Sequence, residues 1–430
     1  MKALSITGGR PVCGELQISG NKNAALPMIA AAMLADEPVI LNNVPDILDV
    51  RNMLKVVESL GARAEFTGGR LVLDASGLSR STIPVELCHA VRTSLLFAGP
   101  LVYRCGEAAI APPGGDVIGR RRLDTHFYGL NKLGITAWQD EDNIYRFRRD
   151  GALKGADLFL DEPSVTATEH IMTVAAVSSG VTVIRNAACE PHVRQLAALL
   201  NSMGARITGV GTNLLQVEGV EKLHGGEITI AADHVNAASF LALAAATGGN
   251  IDLYGEIVTH DYWMTRRIFE RLDARFEMEP GHISMHRDGR PLKVVREFDG
   301  QIPTISDGPW PQFPSDMMSC LIAAATQAEG SVLFFEKMFE SRIYFVDRLI
   351  AMGANAVICD PHRAVISGPA TLRGAEVISP DIRAGMALVI AAAVARGKSL
   401  IRNADMVYRG YDRLPQSLAA LGVDIREVEM

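Results

Sequence analysis

The sequence predicts an α/β protein of two domains, each assembled from three copies of one β-α-β-α-β type unit. Three observations lead there: the length, a turn signature that recurs six times, and a small-residue apolar helix that recurs in step with it. At 430 residues the chain exceeds one ordinary core and suits two domains of about 200 residues each. Its hydrophobic share of 48% and charged share of 21% are those of a globular protein. No charge block or low-complexity tract marks a disordered arm.

The turn signature joins a helix end, a tight turn and a strand start. It occurs at Ser59-Leu60-Gly61-Ala62-Arg63, Lys132-Leu133-Gly134-Ile135-Thr136, Ser202-Met203-Gly204-Ala205-Arg206, Arg271-Leu272-Asp273-Ala274-Arg275, Ala351-Met352-Gly353-Ala354-Asn355 and Ala420-Leu421-Gly422-Val423-Asp424. Glycine just past a helix accepts the left-handed conformation that ends it, and Asp273, the single exception, is of a type that tolerates it. Regular self-similarity of this kind marks a repeated architecture.

Interleaved with the turns is an apolar helix followed by Gly or Glu and a β-branched strand, over 28–39, 94–110, 171–184, 239–251, 318–333 and 386–401. A helix apolar on all sides is a buried one. The polar segments that precede these helices differ from one another: Ser19–Asn23, His89–Thr93, Pro163–Thr166, Asp233–Asn236, Phe313–Asp316 and Pro380–Arg383. Helix starts carry free N–H groups and the positive end of the helix dipole, so six of them in two sets of three are expected to line one anion-binding cleft.

Charge and composition exclude several classes. The formal net charge of -7 offers no basic stripe for a nucleic-acid backbone, so recurring arginines are aimed at a small anion. Apolar runs such as 24–34 and 386–395 are shorter than the roughly 18 residues of a bilayer span, and the N-terminus lacks a signal-peptide core, which reads as a cytosolic chain without membrane insertion. Cys13, Cys88, Cys105, Cys189, Cys320 and Cys359 form no CxxC pair and stand near no histidine cluster. Neither a metal site nor a disulfide framework is indicated.

Taken singly, Asp316 reads as an N-cap or near-cap carboxylate, and Lys22, Arg121 and Arg409 as solvated surface charges. Taken together, the segments Ser19–Leu26 (SGNKNAAL), Arg92-Thr93-Ser94 with Gly99-Pro100-Leu101, Pro113–Arg122 (PGGDVIGRRR), Phe313–Asp316 (FPSD), Phe339–Arg342 (FESR), Asp381–Arg383 (DIR) and Arg409-Gly410-Tyr411 (RGY) resemble the enolpyruvyl transferase family. They run from residue 19 to residue 411 and so span nearly the whole chain.

The resemblance implies two inside-out, barrel-like α/β domains of three repeats each, at 22–230 and at 1–21 plus 231–430, with the active site in the cleft between them. It implies transfer of the enolpyruvyl group of phosphoenolpyruvate to the 3-hydroxyl of UDP-N-acetylglucosamine with release of phosphate, an early step toward peptidoglycan. No cofactor or metal enters that scheme, and the partners are those two small molecules.

The same resemblance distributes the roles. Asp316 is the general base at the sugar hydroxyl. Lys22, Arg121 and Arg409 clamp phosphoenolpyruvate, the arginines by two-pronged contacts and the lysine as a point charge. Arg92 and Arg383 support them in the cleft, and Asn23 and Asp381 orient the intermediate. Arg121, Leu123, Asp124, Ser164, Val165 and Met338 hold the uridine diphosphate portion, although Glu162, Pro163 and Thr166 depart there from the lysine, valine and glycine of many members.

Prolines and glycines at 112–115 and 119 suit a hinged flap. On it, Asp116 stands where many members carry the proton-donating cysteine that fosfomycin alkylates. A desolvated carboxylic acid can donate the same proton. It lacks the soft thiolate that opens an epoxide, so insensitivity to fosfomycin is expected.

Three rivals follow from the same residues. The sister reaction on shikimate 3-phosphate would bring a serine-rich lysine motif near the N-terminus, where Asn21-Lys22-Asn23 stands here. A different nucleotide acceptor is compatible with the departures around Ser164. A binding or scaffold protein without catalysis would have no use for both an acid and a base.

Overall fold

The computed structural model describes residues 2–115, 119 and 122–429. Two compact units are present: one begins at Gly20 and ends at Ala231, and the other takes the chain up to Ser19 and from Ala232 onward. Each unit closes over its own hydrophobic cluster and carries three sheets.

The last repeat of the Gly20–Ala231 unit shows the pattern most fully. Strand Asp157–Phe159 leads into helix Val165–Ala175, and strand Val181–Arg185 returns parallel to it, with Ile184 opposite Leu158. The amphipathic helix Pro191–Ser202 then ends at the turn, and a hairpin of Arg206–Thr208 and Leu214–Glu218 completes the sheet. The unit is therefore βαβαββ, one strand longer than predicted, because the chain after the turn runs out and back before leaving the sheet.

At all five glycine copies of the turn the backbone is left-handed, with φ 93° at Gly61, 96° at Gly134, 99° at Gly204, 104° at Gly353 and 82° at Gly422. Asp273 takes the same conformation at φ 51°. An outer amphipathic helix stops at each of these residues, and the following strand starts a new direction.

Six apolar segments form the interior. Helices Lys22–Ala31, Val165–Ala175, His234–Thr247, Ser315–Ala325 and Ile382–Val394 are buried along nearly their whole length, and Ala98–Cys105 is preceded by a 3-10 stretch at Arg92–Phe97. Their alanines and glycines let backbones approach closely, so a helix can be covered on every side. The consequence for function is positional: the first turn of each buried helix is already fixed by packing.

Three strands link distant parts of the sequence. In the first unit Glu227–Thr229 lies parallel to Val39–Asn42 and so joins the end of the third repeat to the first. In the second, Cys13–Gln17 lies parallel to Asn250–Tyr254. Lys2–Thr7 inserts between Lys398–Arg402 and Asp424–Glu429, antiparallel to both. It occupies the place that a continuous hairpin strand holds in the other repeats. Among the described residues no helix is long and apolar enough to cross a membrane.

Candidate active site

In the unit that starts at Gly20, Asn21 caps helix Lys22–Ala31, its side-chain oxygen accepting from the Asn23 and Ala24 N–H groups at 2.8 and 3.3 Å. That cap fixes Lys22 as the first helical residue. Its ammonium lies 2.7 Å from the carboxylate of Asp49, and both side chains are largely buried, at 12% and 4% exposure. Asp49 sits in the first turn of helix Leu48–Ser59. Asn23, next along, is half-buried.

Leu123, Asp124, Ser164 and Val165 are drawn together by a bridge that sequence reading did not find. Leu123 precedes helix Asp124–Lys132, and Ser164 caps helix Val165–Ala175 through a contact from the Ala167 N–H at 3.4 Å. Between the two helix starts His126 Nε2 lies 3.0 Å from Thr166 Oγ1, and His126 Nδ1 lies 3.2 Å from His170 Nδ1. His170 Nε2 in turn lies 3.0 Å from the Gly99 N–H.

An N–H can only donate, which fixes every proton in this string when the rings are neutral. His170 accepts at Nε2 and carries its proton on Nδ1; it donates to His126 Nδ1; His126 carries its own proton on Nε2 and donates to Thr166. Burial depresses the pKa of both rings, that of His170 to about 3, and for His126 the nearby His170 and Arg92 add to the effect. Gly99 is required for the approach, since a Cβ there would fall 2.3 Å from the Val174 side chain. Asp124 itself is exposed and pairs with Arg122 at 3.0 Å, while Arg92 starts the 3-10 stretch and is half-buried.

In the other unit Asp316 lies in the first turn of helix Ser315–Ala325, whose N-cap is Pro314, so it is a near-cap residue and not the cap. Its two carboxylate oxygens meet two arginines, Arg342 Nη2 at 2.6 Å and Arg383 Nη2 at 3.5 Å. The arginine side chains are 6% and 5% exposed, whereas that of Asp316 is 30% exposed. The carboxylate is thus gripped from within by two buried groups and is itself partly exposed.

Arg383 belongs to the first turn of helix Ile382–Val394, where the Asp381 carboxylate is occupied as N-cap, accepting from the Arg383 and Ala384 N–H groups at 2.8 and 2.9 Å. Its guanidinium also donates to Asn236 Oδ1 at 3.2 Å and lies 5.4 Å from the Tyr411 ring centroid. Asn236 donates to the Gly410 carbonyl at 3.1 Å, and the Tyr411 hydroxyl meets Ser239 at 2.8 Å. The RGY segment is thereby tied to helix His234–Thr247. Arg409 within it is half-buried, with Nη1 3.7 Å from Met406 Sδ.

Met338 belongs to the same unit as Asp316 and is 42% exposed. Asp116 and Arg121 lie outside the described residues. Arg342 and Asn236 stood within segments singled out in the sequence without a role of their own. Asp49, His126 and His170 follow no pattern in the sequence, because their partners come from other elements.

Comparison with known proteins gives the family. The family of EPSP synthase (3-phosphoshikimate 1-carboxyvinyltransferase) matches residues 6–418. The chain belongs to the enolpyruvyl transferase family. Relatives in this family named UDP-N-acetylglucosamine 1-carboxyvinyltransferase are similar from end to end. The Treponema denticola protein is 49% identical over 98% of this chain and 98% of its own length. That of Bradyrhizobium diazoefficiens is 47% identical over 98% and 97%. Among solved structures, the enolpyruvyl transferase NikO from Streptomyces tendae superposes with a TM-score of 0.89 at 23% identity, covering 99% of each chain. EPSP synthase from Acinetobacter baumannii superposes at 0.76 and 18% identity, covering 100% of each chain. Both share the enolpyruvyl transferase fold with this chain.

Proposed function

We propose that this chain transfers the enolpyruvyl group of phosphoenolpyruvate to the 3-hydroxyl of UDP-N-acetylglucosamine and releases phosphate. One observation carries the reading: Asp316, in a protein matched end to end by relatives of that name, is a partly exposed carboxylate held by two buried arginines. The arrangement suits a general base, because its position is fixed by groups that do not titrate near neutral pH while the carboxylate itself stays partly exposed.

The steps balance as follows. Asp316 takes the proton of the sugar hydroxyl as its oxygen bonds to C2 of phosphoenolpyruvate, and an acid, Asp116 in this reading, delivers a proton to C3. Loss of a proton from C3 then expels phosphate and restores the double bond. Lys22, Arg121 and Arg409 neutralise phosphate and carboxylate, with Arg92, Asn23 and Arg383 in support. Leu123, Asp124, Ser164, Val165 and Met338 hold the nucleotide. The reading sets the reaction in the cytoplasm.

Phosphate release on mixing the protein with phosphoenolpyruvate and UDP-N-acetylglucosamine is the test. Release with that acceptor and not with shikimate 3-phosphate is expected; release only with another nucleotide, or with none, overturns the reading. Fosfomycin is expected to cause no time-dependent loss of activity, since Asp116 offers no thiolate. A covalent adduct on Asp116 would contradict this.

A further inference from the structure

Behind Asp316 lies a second pair of carboxyls that the reaction scheme does not use. Strand Thr304–Ser306 runs parallel to strand Ala328–Phe335 with Ser306 opposite Phe335, so the next residues of each, Asp307 and Glu336, leave the sheet side by side. Both are buried, at 0% and 1% exposure.

We infer that Glu336 is a positioning residue for Asp316: sharing one proton with Asp307, it acts through Ser315 and Arg342 to set how firmly that arginine holds the Asp316 carboxylate. The inference rests on reading Asp316 as the base.

The connection is directional. Arg342 Nη1 donates to the Ser315 hydroxyl at 2.8 Å, and an arginine can only donate. Ser315 must then spend its single proton on Glu336, whose oxygens lie 2.9 and 2.8 Å away. The other arm of the same guanidinium reaches Asp316 at 2.6 Å. One buried positive charge is therefore divided between the base and the acid pair.

Among the described residues the surroundings leave that pair no other cation. Glu336 further accepts from the Met338 and Phe339 N–H groups at 3.3 and 3.1 Å, and Asp307 from the Lys337 N–H at 2.5 Å. The Lys337 ammonium is turned to Ser306 at 3.0 Å, and the His362 ring meets the Glu336 carbonyl, not its carboxylate, at 2.7 Å. Arg363 pairs with Asp360, Arg383 faces Asp316, and Asp381 caps its own helix. Asp307 Oδ2 is buried with no hydrogen-bond partner. Two carboxylates this close and this dry cannot both be ionised, so one proton stays with them and the pair carries one negative charge. Burial, reinforced by Asp307, correspondingly raises the Glu336 pKa.

Two isosteric substitutions move that charge in opposite directions. Glu336→Gln confines it to Asp307, away from Ser315, so Arg342 grips Asp316 harder. Asp307→Asn confines it to Glu336, against Ser315, so the grip loosens. In pH profiles of kcat/KM for phosphate release, the acid limb is expected to move down by about half a pH unit in Glu336→Gln and up by a similar amount in Asp307→Asn. KM for the nucleotide sugar should stay within about twofold of the parent, since neither residue is assigned to its binding.

Shifts of one sign, or none in either variant, overturn the role of Glu336, because a merely structural residue would lower activity without dividing the limbs. Should Glu336→Gln fail to fold by circular dichroism, the sign in Asp307→Asn decides alone. Asp316→Asn, run alongside, separates the two readings. If it turns over normally, the base assignment fails. If it is inactive while the limbs stay fixed, only the inference about Glu336 fails.

Discussion

The helices Val165–Ala175 and Ser315–Ala325 hold equivalent places in their repeats, and both start at a polar cluster, yet the clusters are built from opposite materials. At the first, two neutral imidazoles link a backbone N–H to a threonine hydroxyl through a string of hydrogen bonds. At the second, a carboxylate is fixed between two guanidinium groups. The repeated scaffold supplies the position of a helix start and leaves its electrostatics to a few residues of the first turn. A string of neutral groups suits selection of a ligand by shape and hydrogen bonding, and an ionic fork suits work on a proton.

The largest way to break this comparison is Asp316→Asn. Turnover is expected to fall about a thousandfold or more while UDP-N-acetylglucosamine still binds, as titration calorimetry would record. Near-normal turnover would leave the ionic cluster without its assigned purpose.

Acid offers the next test, because the clusters respond to it with opposite sign. His126 and His170 have depressed pKa values in the folded protein. Their unfolded value is about 6.5, so the stability they contribute is full above that pH and is lost as pH falls below it, at about 1.4 kcal/mol per unit for each group. Glu169, buried one residue before His170, has a raised pKa, chiefly from desolvation. It favours folding more as pH falls toward about 4.5, at a similar slope, and so offsets one histidine. Glu336 acts in the same sense in the other unit.

Hydrogen exchange between pH 6.5 and 5, corrected for intrinsic rates, should therefore show helices Asp124–Lys132 and Val165–Ala175 losing protection before His234–Thr247, Ser315–Ala325 and Ile382–Val394. His170→Asn is expected to flatten the acid loss and Glu169→Gln to steepen it. Equal losses in both units would remove the distinction.

The smallest expected effect is that of Thr166→Val. It leaves the His126 N–H unpaired at 2% exposure, for about 1–2 kcal/mol in thermal or urea unfolding. If stability is unchanged, the assigned tautomers are wrong.

Much of this was legible in the sequence because it is local. The turn glycines, the Asp273 exception and the buried helices each depend on a few adjacent residues. Asp316 and Arg383 were found because they stand in helix first turns next to quotable motifs. Asp49, Glu336 and the histidine string were not, since each is defined by a partner from another element. The extra strand per repeat was missed for a plainer reason: strands such as Arg206–Thr208 and Leu214–Glu218 are short and half-exposed, with too few alternating residues to count twice.

The insertion of Lys2–Thr7 between Lys398–Arg402 and Asp424–Glu429 bears on how the molecule is made. A ribosome adds about 5 to 20 residues per second, so this strand emerges tens of seconds before either neighbour exists. The unit that begins at Gly20 carries all its own strands and can close while synthesis continues. The other must keep Lys2–Thr7 unpaired until Lys398–Arg402 and Asp424–Glu429 have been made. Its sheet is sealed only when strands about 400 residues apart in synthesis meet, so this unit closes after the one that begins at Gly20 can already have folded.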